Sequence, residues 1–133
     1  MLAALGPRML ELAAERSAGA LTYHSTPEAT AWARSILGGG SLLAVEQAVL
    51  LEEDASEARR IGREYIAFYL TLPNYVRAWE RAGFGPEDLA AGGTDGQGIR
   101  TGADHVCLHP LDADPNALPI GAWRTLAPAL HGR

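Results

Sequence analysis

The chain opens with an alternation of short apolar runs and amphipathic helices, and this alternation restricts the fold more than any other feature. An apolar run at residues 2–5 ends at Gly6 and Pro7, a pair that allows a tight turn and then suits the first position of a helix. A helical pattern follows to Ser17, and residues 20–23 form a second apolar run. This succession predicts a parallel βαβ unit that opens at residue 1. We therefore expect the chain to begin within a fold whose earlier elements lie upstream.

The same pattern then repeats along the chain. Thr26 and Pro27 are typical of the cap and first position of a helix, which is predicted to run to Leu37 and to stop at the glycines 38–40. The next run, 42–51, is apolar at both odd and even positions. Such a run is typical of a parallel strand that is covered on both faces.

Two polar residues, Glu46 and Gln47, interrupt that apolar run. One interpretation makes them ordinary hydrogen-bonded strand residues, and it is the one we favour. The other interpretation makes them polar groups that face a barrel interior or a ligand.

A helical insertion is predicted after this strand. Asp54 is placed to cap a long helix with an apolar stripe, Pro73 interrupts that helix, and residues 74–82 continue as a second helical piece. The aromatic residues of this region are expected to pack within the core or between subunits, rather than to form a stacking platform for a ligand. They are Tyr65, Phe68, Tyr69, Tyr75, Trp79 and Phe84.

The last third of the chain completes the alternation. Residues 86–89 read as one more helical turn, and 92–102, with five glycines and no apolar period, as a loop. Residues 103–109 are predicted to form the last strand and 119–130 the last helix. Repeated βα order with one helical insertion predicts four parallel strands joined by right-handed crossovers.

Composition excludes several classes of protein. At 133 residues the chain is one domain at most, and its net charge of −5, with all eleven basic residues being scattered arginines, makes nucleic acid an unexpected partner. A single cysteine, Cys107, rules out an internal disulfide and fits a reducing compartment. No apolar stretch reaches about 18 residues and no secretory signal is present, so we expect no membrane partner and a cytoplasmic location.

Five blocks of sequence, in a fixed order, carry a resemblance to a known family. They are residues 3–20, Thr26-Pro-Glu, Asn74-Tyr-Val, Gly102-Ala-Asp-His-Val-Cys and Trp123-Arg-Thr-Leu-Ala-Pro. Together they resemble the C-terminal part of the luciferase-like monooxygenase family. More narrowly, the chain is similar to the deazaflavin-dependent (coenzyme F-420 type) oxidoreductases of that family. The resemblance implies a TIM-barrel enzyme that moves hydride between a reduced deazaflavin or flavin and a small-molecule substrate.

Two departures from the family limit what this chain can do. A complete (β/α)₈ barrel needs about 250 residues, so the chain corresponds to a partial TIM barrel, a single partial domain with about four parallel strands. The family's acid–base residues lie mainly on the early strands, which would precede residue 1. The second departure is at 92–102, where family members have a further strand and helix. We therefore assign no catalytic residue and expect the chain to be inactive alone.

The resemblance nevertheless carries over part of a cofactor site. The family's Ala-Ala-x-Gly-Pro turn lines the cofactor with backbone groups, and the end of the next strand contacts the phosphate-bearing tail of the cofactor. A side chain at Gly6 is expected to intrude on the ligand and to strain the turn. The cofactor is expected to be coenzyme F-420, with FMN as the alternative. The cofactor-binding residues implied are Ala3, Ala4, Leu5, Gly6, Tyr23, His24 and Ser25.

A rival site at His105, Cys107 and His109 is rejected. These residue types bind zinc, and the three positions share one face of a strand. However, positions 105 and 109 of a strand are roughly 13 Å apart, too far for one ion. The pattern therefore indicates no metal site, and Cys107 is expected to be a small buried apolar residue.

Three functions remain open from sequence. The first is a deazaflavin-dependent oxidoreductase portion, and the second is a fragment of an FMN-dependent monooxygenase. The third is a non-catalytic remnant that oligomerises through 56–84. Self-association is expected in each case, because four strands taken from a barrel leave two open edges. Some apolar strand residues are also expected to be under-covered, namely Leu43, Val45, Val106 and Leu108.

Overall fold

The chain folds as an α/β structure around a parallel sheet. The structure is a computed structural model that describes residues 1–90, 105–114 and 116–131. Its elements, in order, are β1 (Leu2–Ala3), α1 (Pro7–Arg16), β2 (Gly19–Tyr23), α2 (Pro27–Leu37), β3 (Leu42–Val49), α3 (Ala55–Ala67), a 3₁₀ helix (Tyr69–Thr71), α4 (Pro73–Arg81), α5 (Pro86–Ala90), β4 (His105–Pro110) and α6 (Ile120–His131). Within the described residues the four strands form one sheet in the order β1-β2-β3-β4, and every neighbouring pair is parallel. The predicted parallel α/β order is confirmed.

Local capping signals explain where the helices begin. α1 starts at Pro7 and α2 at Pro27, both as the sequence predicts. The Thr26 hydroxyl accepts the Ala29 N–H at 3.1 Å, which satisfies one of the free donors of the first turn of α2. Asp54 likewise caps α3, since its carboxylate accepts two N–H groups of the first turn at 2.8 Å. The predicted long helix is shorter than expected and ends at Ala67, before the 3₁₀ turn.

The core lies on one face of the sheet, beneath α1 and α2. It is formed by small and branched apolar side chains from β2, β3, these two helices and the residue after β1: Ala4, Leu10, Ala13, Ala20, Ala33, Leu37 and Leu43. Leu43 is fully buried and Val45 is 6 % exposed. The prediction that these two would be under-covered is therefore wrong. Leu43 packs into the helix-covered core, while Val106 and Leu108 of β4 are partly exposed.

Close packing of β2 against β3 depends on Gly19. This residue has φ +145°, and a Cβ added to it would stand 1.9 Å from the Leu42 carbonyl oxygen. Only glycine tolerates that approach together with that backbone conformation. The start of β2 is therefore fixed by a residue without a side chain.

The helical insertion folds back over the carboxyl ends of the strands. Tyr23 of β2, Glu46 of β3 and Cys107 of β4 share one register position, so their side chains point to the face opposite the core. Tyrosines from α3 and the following turn contact Tyr23, and the Trp79 indole of α4 donates to the His24 carbonyl oxygen at 3.1 Å. The insertion thus brings aromatic side chains to the sheet edge where parallel-sheet proteins place their sites.

No helix in the described ranges combines the length and the apolar character needed to cross a membrane. The Gly-rich segment predicted as a loop, 92–102, lies outside the described residues.

Candidate functional site

A cavity of about 270 Å³ lies at the carboxyl ends of β1 and β2. The first turn of α2 forms one wall, and α4 lies across from it. Five of the seven residues predicted to bind a cofactor line this cavity, namely Ala4, Leu5, Tyr23, His24 and Ser25. The structure therefore brings most of the predicted set together at one place.

Ala3 and Gly6 are not among the lining residues. Ala3 belongs to β1, where it pairs with Leu21. Gly6 precedes α1 in an extended conformation with φ −120°, and a Cβ built there meets no atom within 4 Å. The expectation that a side chain at Gly6 would strain the turn is wrong, because this conformation is open to any residue.

Helix α4 is held over the cavity by two side-chain donors. Buried Trp79 donates to the His24 carbonyl oxygen at 3.1 Å, and the Arg81 guanidinium donates to the Leu5 carbonyl oxygen at 2.7 Å. The same guanidinium stands 5.5 Å above the Trp32 ring, within the range of a cation–π contact. Arg81 thus joins the ends of β1, α2 and α4 and supplies a positive charge to the cavity wall.

Two buried polar atoms, on residues that line this cavity, have no hydrogen-bond partner among the described residues. They are Oγ1 of Thr22, a residue only 3 % exposed, and Nε2 of His24. A buried polar group left unpaired costs about 1–3 kcal/mol. A polar ligand that formed a hydrogen bond with the Thr22 hydroxyl would remove this cost.

His24 has an unusual backbone conformation and a lowered pKa. It adopts φ 52°, the left-handed region that non-glycine residues rarely occupy. Burial, and secondarily the positive charge of His109, lowers the pKa of His24 to about 4. Its imidazole is therefore neutral near pH 7, and it can offer one donor and one acceptor to a ligand.

One acidic residue in the wall of this cavity would repel an anionic ligand. Glu28 lies in the first turn of α2 and lines the cavity. A carboxylate at this position interacts favourably with the positive end of the helix dipole. A bound phosphate would compete with Glu28 for the same helix terminus.

A second cluster lies where β2, β3 and β4 end. His109 Nδ1 is 3.1 Å from the Tyr23 hydroxyl, 3.2 Å from the Tyr65 hydroxyl and 3.2 Å from Glu46 Oε1. The two phenol oxygens also contact each other. A cavity of about 390 Å³ adjoins Tyr65 and His109 on the side of α6.

Sequence reasoning identified this second cluster only in fragments. Glu46 was open to two interpretations, and its contact with His109 of the neighbouring strand is compatible with both. His109 entered only as a rejected zinc ligand. The available signal was that Glu46, Cys107 and His109 lie on the same face of the sheet. That signal can be recognised only when the register between β3 and β4 is known.

The structure does not bring the residues of the rejected zinc site together with other ligands. Among the described residues, no group of three or more histidine, cysteine, aspartate or glutamate side chains is arranged to hold a metal ion. Cys107 is partly exposed, so the expectation of a buried cysteine is wrong. The reason is that its face of β4 lies opposite the helix-covered core.

Comparison of the chain with protein-family models, curated proteins and solved structures finds no match.

Proposed function

We propose that the chain is the C-terminal portion of a luciferase-like, deazaflavin-dependent oxidoreductase. In this proposal the four parallel strands are part of a (β/α)₈ barrel, and the 270 Å³ cavity holds the phosphate-bearing tail of coenzyme F-420. The observation that carries the proposal is the unpaired, buried Thr22 hydroxyl in a cavity at the carboxyl ends of parallel strands. Barrels of this class bind their ligands at that end of the strands.

The residues around the cavity suit a phosphate. The Thr22 hydroxyl supplies a donor, the first turn of α2 supplies the positive end of a helix dipole, and Arg81 supplies a guanidinium. Neutral His24 supplies a further donor without a second positive charge. Glu28 is expected to turn outward when the anion binds, because two negative charges at one helix terminus repel each other.

The cavity volume limits what it can hold. Sites for drug-sized ligands span about 300–1,000 Å³, so 270 Å³ suits a phosphate and its immediate linkage rather than a whole cofactor. When bound, the deazaflavin ring would supply the hydride chemistry. This chain's own residues bind and orient the tail, and the substrate and acid–base groups belong to the strands expected upstream.

A titration series on the chain tests this function. We would measure the affinity of coenzyme F-420, FMN and riboflavin by fluorescence, with inorganic phosphate as competitor. The proposal predicts measurable binding of F-420, displacement by phosphate, and no binding of riboflavin, which lacks a phosphate. Preference for FMN over F-420 would favour the alternative monooxygenase. Equal binding of riboflavin would contradict a phosphate site.

A second candidate, a self-associating module, is favoured by a different observation. Within the described residues β1 and β4 each pair on one side, which leaves two open sheet edges, and Phe68 after α3 is 64 % exposed. Light scattering coupled to size-exclusion chromatography separates the candidates. A monodisperse monomer would count against self-association and leave the phosphate site untouched.

A further inference from the structure

The cavity between α3, the end of β4 and the start of α6 has the size and the wall of a small-molecule site. We call it the α6 cavity. Its volume is about 390 Å³, and Ile61, Pro110 and Trp123 supply apolar surface to its wall. Ile61 is 5 % exposed and Pro110 is buried, so this part of the wall belongs to the folded interior. Because small-molecule sites are concave, mostly apolar and about 300–1,000 Å³ in volume, the α6 cavity fits an organic ligand.

Hydrogen bonds within the chain hold the loop that joins β4 to α6. The Leu111 N–H donates to the Val49 carbonyl oxygen at 2.8 Å. The Ala117 N–H donates to the Asp114 carbonyl oxygen at 3.0 Å, and the Asp112 carboxylate accepts the Asp114 N–H at 3.0 Å. These three N–H groups are already used, whereas each carboxylate still has lone pairs to offer. The loop therefore presents more acceptors than donors to a ligand.

The charged groups of the wall favour a cation. Three carboxylates line the α6 cavity, those of Glu64, Asp112 and Asp114, and the one basic side chain among its described lining residues is that of His109. Glu64 also binds the Arg60 guanidinium at 2.7 Å, so the excess negative charge comes mainly from the two aspartates. Such a wall repels an anion and attracts a positively charged group that carries N–H donors.

Two aromatic rings of the wall complement an organic cation. Tyr65 of α3 and Trp123 of α6 both line the cavity, and Trp123 is 44 % exposed, so a ligand can reach its ring. A cation above an aromatic face is attracted to it, most strongly when the ring is tryptophan. Among the described residues, no group of three or more metal-ligating side chains is arranged to hold a metal ion. We propose that the α6 cavity binds an organic amine as its ammonium ion.

The two parts of the ligand meet two parts of the wall. The ammonium group lies at Asp112 and Asp114, and the aromatic or alkyl body lies against Ile61 and Trp123. This proposal does not rest on the phosphate site at the ends of β1 and β2, because the two cavities share no lining residue. Failure of one leaves the other standing.

Three probes with one common body test the proposal by calorimetry on the purified chain. Phenethylamine is cationic near pH 7, 2-phenylethanol is uncharged and phenylacetate is anionic. We expect one phenethylammonium ion to bind per chain, at least about fivefold more tightly than the alcohol, because a cation–π contact and a carboxylate partner both act on the charge. Phenylacetate should not bind. Absence of amine binding, or equal affinity for the amine and the alcohol, would overturn the proposal.

Two variants locate the amine. Trp123→Leu keeps an apolar side chain but removes the ring, and it should weaken amine binding by at least about threefold. Its matched control is Phe68→Leu, which removes a 64 % exposed ring that is outside the cavity lining. Asp112→Asn keeps an oxygen that accepts the Asp114 N–H but removes the charge, so it should reduce the preference for the amine over the alcohol.

Asp54→Asn is the matched control for the charge. It keeps the oxygen that caps α3 and removes one negative charge outside the cavity lining, so it should bind the amine as wild type does. Circular dichroism establishes that each variant is folded, and if Trp123→Leu is not, Asp112→Asn carries the test, because Asp112 is exposed. An unchanged preference for the amine in folded Asp112→Asn, or an equal loss in Asp54→Asn, would contradict the site.

Discussion

Replacing Thr22 with valine should stabilise this chain, although most substitutions of buried residues destabilise proteins. Thr22 is 3 % exposed, and its hydroxyl has no hydrogen-bond partner in the described ranges of the chain. Valine has nearly the same shape and replaces the hydroxyl with a methyl group. The unfavourable burial of the hydroxyl, about 1–3 kcal/mol, is then removed. We expect the free energy of unfolding to rise by about 1–2 kcal/mol.

Thr30 provides a matched control for this prediction. It is also 3 % exposed, but its hydroxyl donates to the Thr26 carbonyl oxygen at 2.9 Å. Thr30→Val should therefore lower the free energy of unfolding by about 0.5–1.5 kcal/mol, because one hydrogen bond is lost and the Thr26 carbonyl oxygen keeps only the Thr30 backbone N–H as a donor.

The two variants can be compared by thermal unfolding in phosphate-free buffer. One kcal/mol corresponds to about 3–5 °C in Tm for a chain of this size. We expect the Tm of Thr22→Val to lie above that of wild type and the Tm of Thr30→Val to lie below it. If Thr22→Val lowers the Tm as much as Thr30→Val does, the Thr22 hydroxyl is not unpaired and the argument fails.

Three further predictions concern the fold, the charge state of the site and the activity. Gly19→Ala should destabilise the chain by at least about 2–3 kcal/mol, because its Cβ would stand 1.9 Å from the Leu42 carbonyl oxygen at positive φ. Gly40→Ala is the control, because a Cβ at that position meets nothing within 4 Å. Urea unfolding should show a lower midpoint for Gly19→Ala and little change for Gly40→Ala. The folded-state pKa of His24, about 4, is below its ordinary 6.5, so the unfolded chain binds the extra proton more readily, and the stability of the chain should fall as pH drops from 6.5 to 4. His24→Asn, which tolerates the same positive φ, should flatten that dependence, and an unchanged pH profile would count against it. The chain alone should show no F-420-dependent turnover, and rates like those of a complete enzyme would contradict a partial barrel.

Local signals in the sequence predicted the parts of this fold that are determined locally. The starts of α1 and α2 follow from Pro7 and from Thr26 with Pro27, because capping and the fixed φ of proline act within one helical turn. The parallel order follows from the βα alternation. The strain expected from a side chain at Gly6 was wrong, because the backbone there is extended and open to any residue.

The second cluster could not be predicted, because its contacts are non-local. Tyr65 belongs to a helical apolar stripe, and nothing in that stripe indicates that its hydroxyl reaches His109, 44 residues further along the chain. The meeting of Glu46 with His109 depends on the register between β3 and β4. Thr22 showed no sign of an unpaired hydroxyl, since burial without a partner is a property of the folded chain.

The central claim, that the cavity at the ends of β1 and β2 binds the phosphate-bearing tail of F-420, is tested most directly by comparing F-420 affinity in two variants. Thr22→Val removes a hydrogen bond to a charged group, worth about 1.5–3 kcal/mol, and should weaken binding by about 10–100-fold. Thr30→Val, equally buried but outside the cavity lining, should bind F-420 as wild type does. Equal affinity of wild type and Thr22→Val, in protein that is folded, would contradict the claim.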